Sequence, residues 1–123
     1  MLSGERLLII EEEFLIALDI QRALEDANAA KAVFARNYRE VAAMGDQLGD
    51  FDLAIVNPPD AIVDELDVAQ RIVDAGVAVV VCSAFHRDLS DTPLAGMEFV
   101  DKPFADEVLL AACRRALARR QKS

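Results

Sequence analysis

Five short apolar runs recur along the chain, and the residues between them return their apolar side chains at helical spacing. The runs are Arg6 to Ile10, Lys31 to Ala35, Phe51 to Val56, Val77 to Cys82 and Met97 to Val100. They are too short for stable helices and mostly lack apolar–polar alternation, which marks strands covered on both faces. Strands of that kind alternating with helices fold as a parallel sheet with helices on either side. The expected fold class is therefore α/β, a doubly wound five-stranded parallel sheet.

The first helix is expected from Phe14 to Ala27, with Ile16, Ile20, Ala23, Leu24 and Ala27 on its inward stripe. Phe14 and Leu18 fall opposite that stripe at about 100° per residue, so two large apolar groups face solvent and mark a candidate interaction surface. Asn37 is placed to cap a second helix through Tyr38, Val41, Ala42 and Met44, closed by Gly45 and Gly49. A third helix carries Val63, Leu66, Ala69, Ile72 and Val73 on one face and ends at Gly76 as a C′ residue. Ala84 to Gly96 contains Pro93 and no sustained stripe, which predicts a short or irregular helix at most. The last helix buries Leu109, Ala112, Cys113, Ala116 and Leu117, leaving its arginines outside.

A length of 123 residues suits one domain spanning 1–123. The formal charge of −9 argues against a nucleic-acid partner, whose phosphates need a basic surface. The late cluster Arg114, Arg115, Arg119, Arg120 and Lys122 reads first as cations complementing a helix dipole. Cys82 and Cys113 lack metal-ligand spacing and lie in apolar segments, so both read as core residues in a reducing compartment. His86, the only histidine, has no partners for a triad or a metal site. No apolar run approaches the length of a membrane span and no basic-then-apolar signal opens the chain, so a cytoplasmic protein without membrane contact is expected.

Chemistry in open α/β sheets collects at the carboxyl ends of the strands. The residues due there are Glu11 and Glu12 after the first strand, Asn57 after the third, Ser83 after the fourth, and Lys102-Pro103 after the fifth. In this order the chain resembles a CheY-like response-regulator receiver domain, with the flavodoxin-like receiver topology and a shortened or irregular fourth helix. The resemblance covers all five strands. It implies an acidic pair at Glu11 and Glu12, the phosphoacceptor place at Asn57, a phosphoryl-binding hydroxyl at Ser83, a fixed cation at Lys102, a cis Lys102-Pro103 bond and a switch aromatic at Phe99.

A phosphoryl-accepting site of this kind needs a carboxylate nucleophile and a divalent cation. Asn57 lacks the first, because the carboxamide nitrogen lone pair is delocalised into the carbonyl. Its neutrality also removes a charge from the cation site, and Glu12 adds a methylene where the resemblance implies Asp. No cofactor is therefore expected beyond a weak Mg²⁺ held by Glu11, Glu12 and the Pro59 carbonyl. Pro58-Pro59 stiffens the following loop, and Glu65 stands where the resemblance implies Gly.

The expected function is a phosphorylation-independent pseudo-receiver in two-component or phosphorelay signal transduction, acting by protein–protein interaction. Its partner is a histidine kinase, a phosphotransfer protein or an output protein, with homodimerisation an open alternative. The candidate surfaces are the Phe14 and Leu18 face and the last strand and helix with Phe99. One rival reading keeps a phospho-switch, with Asn57 replacing an acceptor Asp or with Asp60 or Ser83 as acceptor. A second rival, a flavin- or nucleotide-binding protein, lacks the Gly-rich first turn that a pyrophosphate needs, since Glu11-Glu12-Glu13 fills it. No nucleophile and base pair appears, so no enzyme is expected.

Overall fold

The computed structural model describes residues 2, 4–60, 63–84 and 88–122, the side chains of 63, 121 and 122 excepted. Its strands are β1 (Arg6–Ile10), β2 (Lys31–Ala35), β3 (Leu53–Val56), β4 (Ala78–Ser83) and β5 (Glu98–Asp101). The helices are α1 (Phe14–Asp26), α2 (Tyr38–Ala42), α3 (Val63–Asp74) and α4 (Asp106–Lys122), with a 3-10 helix at Gly45–Asp50. The strands form one sheet in the order β2-β1-β3-β4-β5, every neighbouring pair parallel.

The unbroken apolar runs have a simple cause in this architecture. Successive residues of a strand point to opposite faces, so Leu7 and Ile9 join Ile20, Leu24, Leu109 and Cys113 on one side of the sheet. Leu8 and Ile10 join Tyr38, Val41, Ala69 and Ile72 on the other. Both faces are therefore apolar, and α1 with α4 covers one while α2 with α3 covers the other.

Three strands shift from their expected bounds. β3 begins at Leu53, because Phe51 closes the 3-10 helix through its N–H to the Leu48 carbonyl, 3.3 Å. β4 and β5 each run one residue later than expected, ending together at the paired Ser83 and Asp101. The helix after Asn37 is shorter than expected: it stops at Ala42, and Gly45, at φ +56°, carries the chain into the 3-10 helix. The expected capping is present, Asn37 Oδ1 accepting from the Glu40 N–H at 3.0 Å. Gly76 ends α3 at φ +80° as expected.

Among the described residues between β4 and β5 there is no helix. Turns run from residue 90 to residue 96, with the Thr92 hydroxyl donating to the Leu89 carbonyl at 2.8 Å and Leu94 buried beneath. His86 lies outside the described residues.

The arginines of α4 stay outside, and three of them also bind within the chain. Arg115 and Arg119 hold Glu98 at 2.7 and 2.9 Å, and Arg120 holds Asp52 at 3.1 Å. A dipole interaction alone does not describe them. No helix among the described residues is long and apolar enough to cross a membrane.

Candidate functional site

The register brings four strand ends to one edge. Ile10 lies opposite both Ala35 and Val56, Val56 opposite Val81, and Ser83 opposite Asp101. The residues immediately beyond, Glu11, Asn57 and Lys102, therefore meet above the centre of the sheet. Backbone bonds fix each: Glu11 N–H to the Ala35 carbonyl at 3.0 Å, Asn57 N–H to Ile10 at 3.0 Å, and Lys102 N–H to Ser83 at 2.9 Å. The Lys102-Pro103 bond is cis, as the sequence resemblance implied.

The three side chains form a closed triangle. Lys102 Nζ makes an ion pair with Glu11 Oε1 and donates to Asn57 Oδ1 at 3.3 Å. Asn57 Nδ2 donates to Glu11 Oε2 at 3.3 Å, an oxygen that also accepts the Glu13 N–H at 3.0 Å. The Glu11 side chain is 2% exposed and that of Lys102 14%. A carboxamide can give a hydrogen bond to the glutamate while accepting one from the lysine. A carboxylate at 57 has no proton to give and would set a second negative charge beside Glu11.

A cleft of about 260 Å³ opens over the triangle, and Glu12, Ser83, Tyr38 and Asp60 help line it. Glu12 is exposed, so Lys102 takes Glu11 of the acidic pair. Ser83 is buried at the cleft wall. Asp60 is exposed, and its backbone N–H is held by Glu65 Oε1 at 3.0 Å. Phe99 is not in this group: it is half-buried and packs on the α2/α3 side of the core, bordering a surface depression with Leu89 and Leu94.

Tyr38 is a part of the site that the sequence did not announce. It is the first residue of α2, and its hydroxyl donates to the backbone carbonyl of Asn57, tying the β2–α2 connection to the tip of β3. Burial, with Glu65 adding to it, pushes its phenol far above the ordinary tyrosine range. Its place on an inward helical position was readable; its bond was not.

The donor set does not fit tightly bound Mg²⁺. Both Glu11 oxygens and the Asn57 oxygen are taken by Lys102, Asn57 and the Glu13 N–H, and Pro59 is buried. No group of three or more His, Cys, Asp or Glu side chains able to hold a metal occurs among the described residues. Mg²⁺ requires near-octahedral oxygen geometry and is usually held by one or two carboxylates plus waters, whereas Glu12 and Asp60, carboxylates of the cleft outside the triangle, stand exposed on its rim. Burial raises the thiol pKa of Cys82 to about 11 and of Cys113 to about 12, in keeping with core residues.

No family model and no curated protein matches the chain. Solved structures do. A pilus assembly-related protein from Burkholderia pseudomallei superposes with a TM-score of 0.78 at 18% identity, over 97% of this chain and 94% of that one. A response regulator receiver domain protein from Clostridium thermocellum gives 0.72 at 22% identity, over 98% of each chain. The signal receiver domain of a signal transduction histidine kinase from Syntrophus aciditrophicus gives 0.72 at 19%, over 97% and 94%. The fold is thus a CheY-like receiver fold, an α/β protein with a five-stranded parallel sheet in 2-1-3-4-5 order.

Proposed function

We propose that the chain is a receiver domain of two-component signalling that does not take up phosphate and acts by holding one protein-binding surface. The observation that carries this reading is the Glu11–Asn57–Lys102 triangle, in which the amide, at the position that the sequence resemblance assigns to the phosphoacceptor, bonds to both charged neighbours. A carboxamide does not form an acyl phosphate, and the lysine that would meet a phosphoryl oxygen is already occupied. Pro58 adds a chemical safeguard. Deamidation of asparagine to aspartate proceeds through attack by the next residue's backbone nitrogen on the side-chain carbonyl, and proline has no N–H to lose in that step.

A ligand shifts a conformational equilibrium only by discriminating between its states. Without phosphoryl uptake the domain lacks such a ligand at this edge, and its surface stays in one form. The partner is then a histidine kinase, a phosphotransfer protein or an output protein that reads this fixed surface. Of the two surfaces expected from sequence, the face of α1 is the better supported, because Arg115, Arg119 and Arg120 of α4 are engaged with Glu98 and Asp52 and Phe99 is half-buried. A switch retained at Asp60 or Ser83 is less well supported: Asp60 lies on the exposed rim, and Ser83 is 8% exposed. Incubation with a small phosphodonor and Mg²⁺ followed by intact-mass measurement tests the reading; uptake of a phosphoryl group contradicts it.

A further inference from the structure

β2 is the outermost strand on its side of the sheet and pairs with β1. Among the described residues nothing bonds to the other edge of its backbone. Its register with β1 runs unbroken from Lys31 to Ala35, without a bulge or a proline, and Ala35 is the one buried residue of its five. An edge of that kind presents a row of N–H and C=O groups to any extended segment that reaches it. Phe34 adds an apolar contact, since it lies beside Ile9 on the α1 and α4 side of the sheet and is 38% exposed.

The charge along this edge runs against that of the whole chain, which is −9. Lys31 opens β2, Arg36 follows its end and Arg39 lies in the first turn of α2. All three are exposed, and their side chains have no hydrogen-bond or ion-pair partner among the described residues. The acid bonded here is Glu40, whose Oε1 accepts the Arg36 backbone N–H at 2.8 Å.

We propose that the outer edge of β2 takes up an extended acidic segment of another protein as a sixth strand, with carboxylates near the segment's ends on Lys31 and Arg36 and an apolar residue between them on Phe34. Backbone bonds supply the attachment in strand addition, and side chains supply its selectivity. At about 3.3 Å per residue, Lys31 and Arg36 stand roughly 17 Å apart along the strand, so a segment of about six residues spans them. Opposite charges and aromatic contacts across neighbouring strands are favourable, and like charges directly opposite are not. A second copy of β2 laid antiparallel on this edge sets Lys31 against Arg36 and is rejected for that reason. β5 of a second copy carries acids, but Arg115 and Arg119 already hold its Glu98. The proposal goes beyond the function proposed above and concerns a different surface from the face of α1.

The test uses the full chain and three labelled designed peptides with one valine- and threonine-rich centre, and binding is read by fluorescence anisotropy. The first has glutamates at both ends, the second lysines, and the third is the glutamate peptide methylated on its backbone nitrogens. The glutamate peptide is expected to bind at least about ten-fold more tightly than the lysine peptide, to weaken as salt rises, and to lose about ten-fold on methylation. On the Lys31→Glu/Arg36→Glu protein the preference should reverse in favour of the lysine peptide, a gain that an unfolded variant cannot give. Equal binding of glutamate and lysine peptides overturns the charge assignment. Undiminished binding of the methylated peptide overturns strand addition, and a preference that ignores the charge reversal overturns the assignment to β2, as does absence of binding. Self-association of the chain alone, seen by sedimentation and abolished by the same two substitutions, makes a second copy the occupant and overturns the proposal. None of these outcomes bears on phosphoryl uptake, so failure here is distinguishable from failure of the signalling reading.

Discussion

The ammonium of Lys102 is shared between the Glu11 carboxylate and the Asn57 side-chain oxygen, which it reaches at 3.3 Å. Glu11 is nearly inaccessible to water, so its charge is tolerated because the lysine and the amide both face it. The pair therefore couples the end of β1 to the end of β5 across β3 and β4.

Removing the lysine should be costly. Lys102→Met leaves a buried carboxylate without its cation, for which a loss of about 3–5 kcal/mol in unfolding free energy is expected. Glu11→Gln should cost less, because the Lys102 side chain, 14% exposed, can extend to water. Urea unfolding of the two variants and of the double variant checks the order, and the double variant should recover part of the Lys102→Met loss.

Asn57→Asp replaces the donor that faces Glu11 with a second carboxylate. The variant should unfold about 1–3 kcal/mol more easily than the parent in metal-free buffer. Mg²⁺ should return part of that loss, because the pocket then has the charge that a divalent cation requires. The parent's melting temperature should not move with Mg²⁺. Thermal melts of both proteins with and without the ion give the comparison.

The chain has one tyrosine, so its ultraviolet titration reports Tyr38 alone. Burial and Glu65 raise the pKa of its phenol, so the folded state holds the proton that the unfolded chain releases near pH 10. The stabilising contribution is therefore complete below that pH and declines above it. Tyrosinate absorbance should appear only together with unfolding. Tyr38→Phe should lower stability by about 0.5–1.5 kcal/mol through the lost bond to Asn57.

Cys82 and Cys113 should resist alkylation in the native protein at pH 8. Both are buried, and the thiol pKa values of about 11 and about 12 leave almost no thiolate. Their protonated forms stabilise the fold below the ordinary thiol pKa, and that contribution is lost as pH rises through about 11 and about 12. Mass mapping after iodoacetamide treatment should find both cysteines modified only once denaturant is present.

The sheet was legible because each strand is buried on both faces and each helix is amphipathic, so Leu7 to Ile10 and the Ile20, Leu24 stripe report their surroundings directly. The ends of β1, β2 and β3 were legible because polar or loop residues follow at once, whereas β4 and β5 each run one residue further, into the polar Ser83 and Asp101. What the sequence hid depends on pairing across the fold. Nothing local tells that Tyr38 reaches the Asn57 carbonyl, that Lys102 takes Glu11 while Glu12 stays on the rim, or that Arg115 and Arg119 converge on Glu98. The stop of α2 at Ala42 was also hidden, because Val41 and Met44 continue a helical pattern that Gly45 interrupts through its backbone.

The central claim is that this edge of the sheet is a neutral, closed triangle that does not accept a phosphoryl group. Intact-mass spectrometry after incubation with acetyl phosphate and Mg²⁺, run beside Asn57→Asp, addresses it most directly. An unchanged mass for the parent, with phosphoryl uptake by the Asp variant, is the predicted result. A phosphoryl group on the parent chain, at Asn57, Asp60, Ser83 or elsewhere, would contradict it.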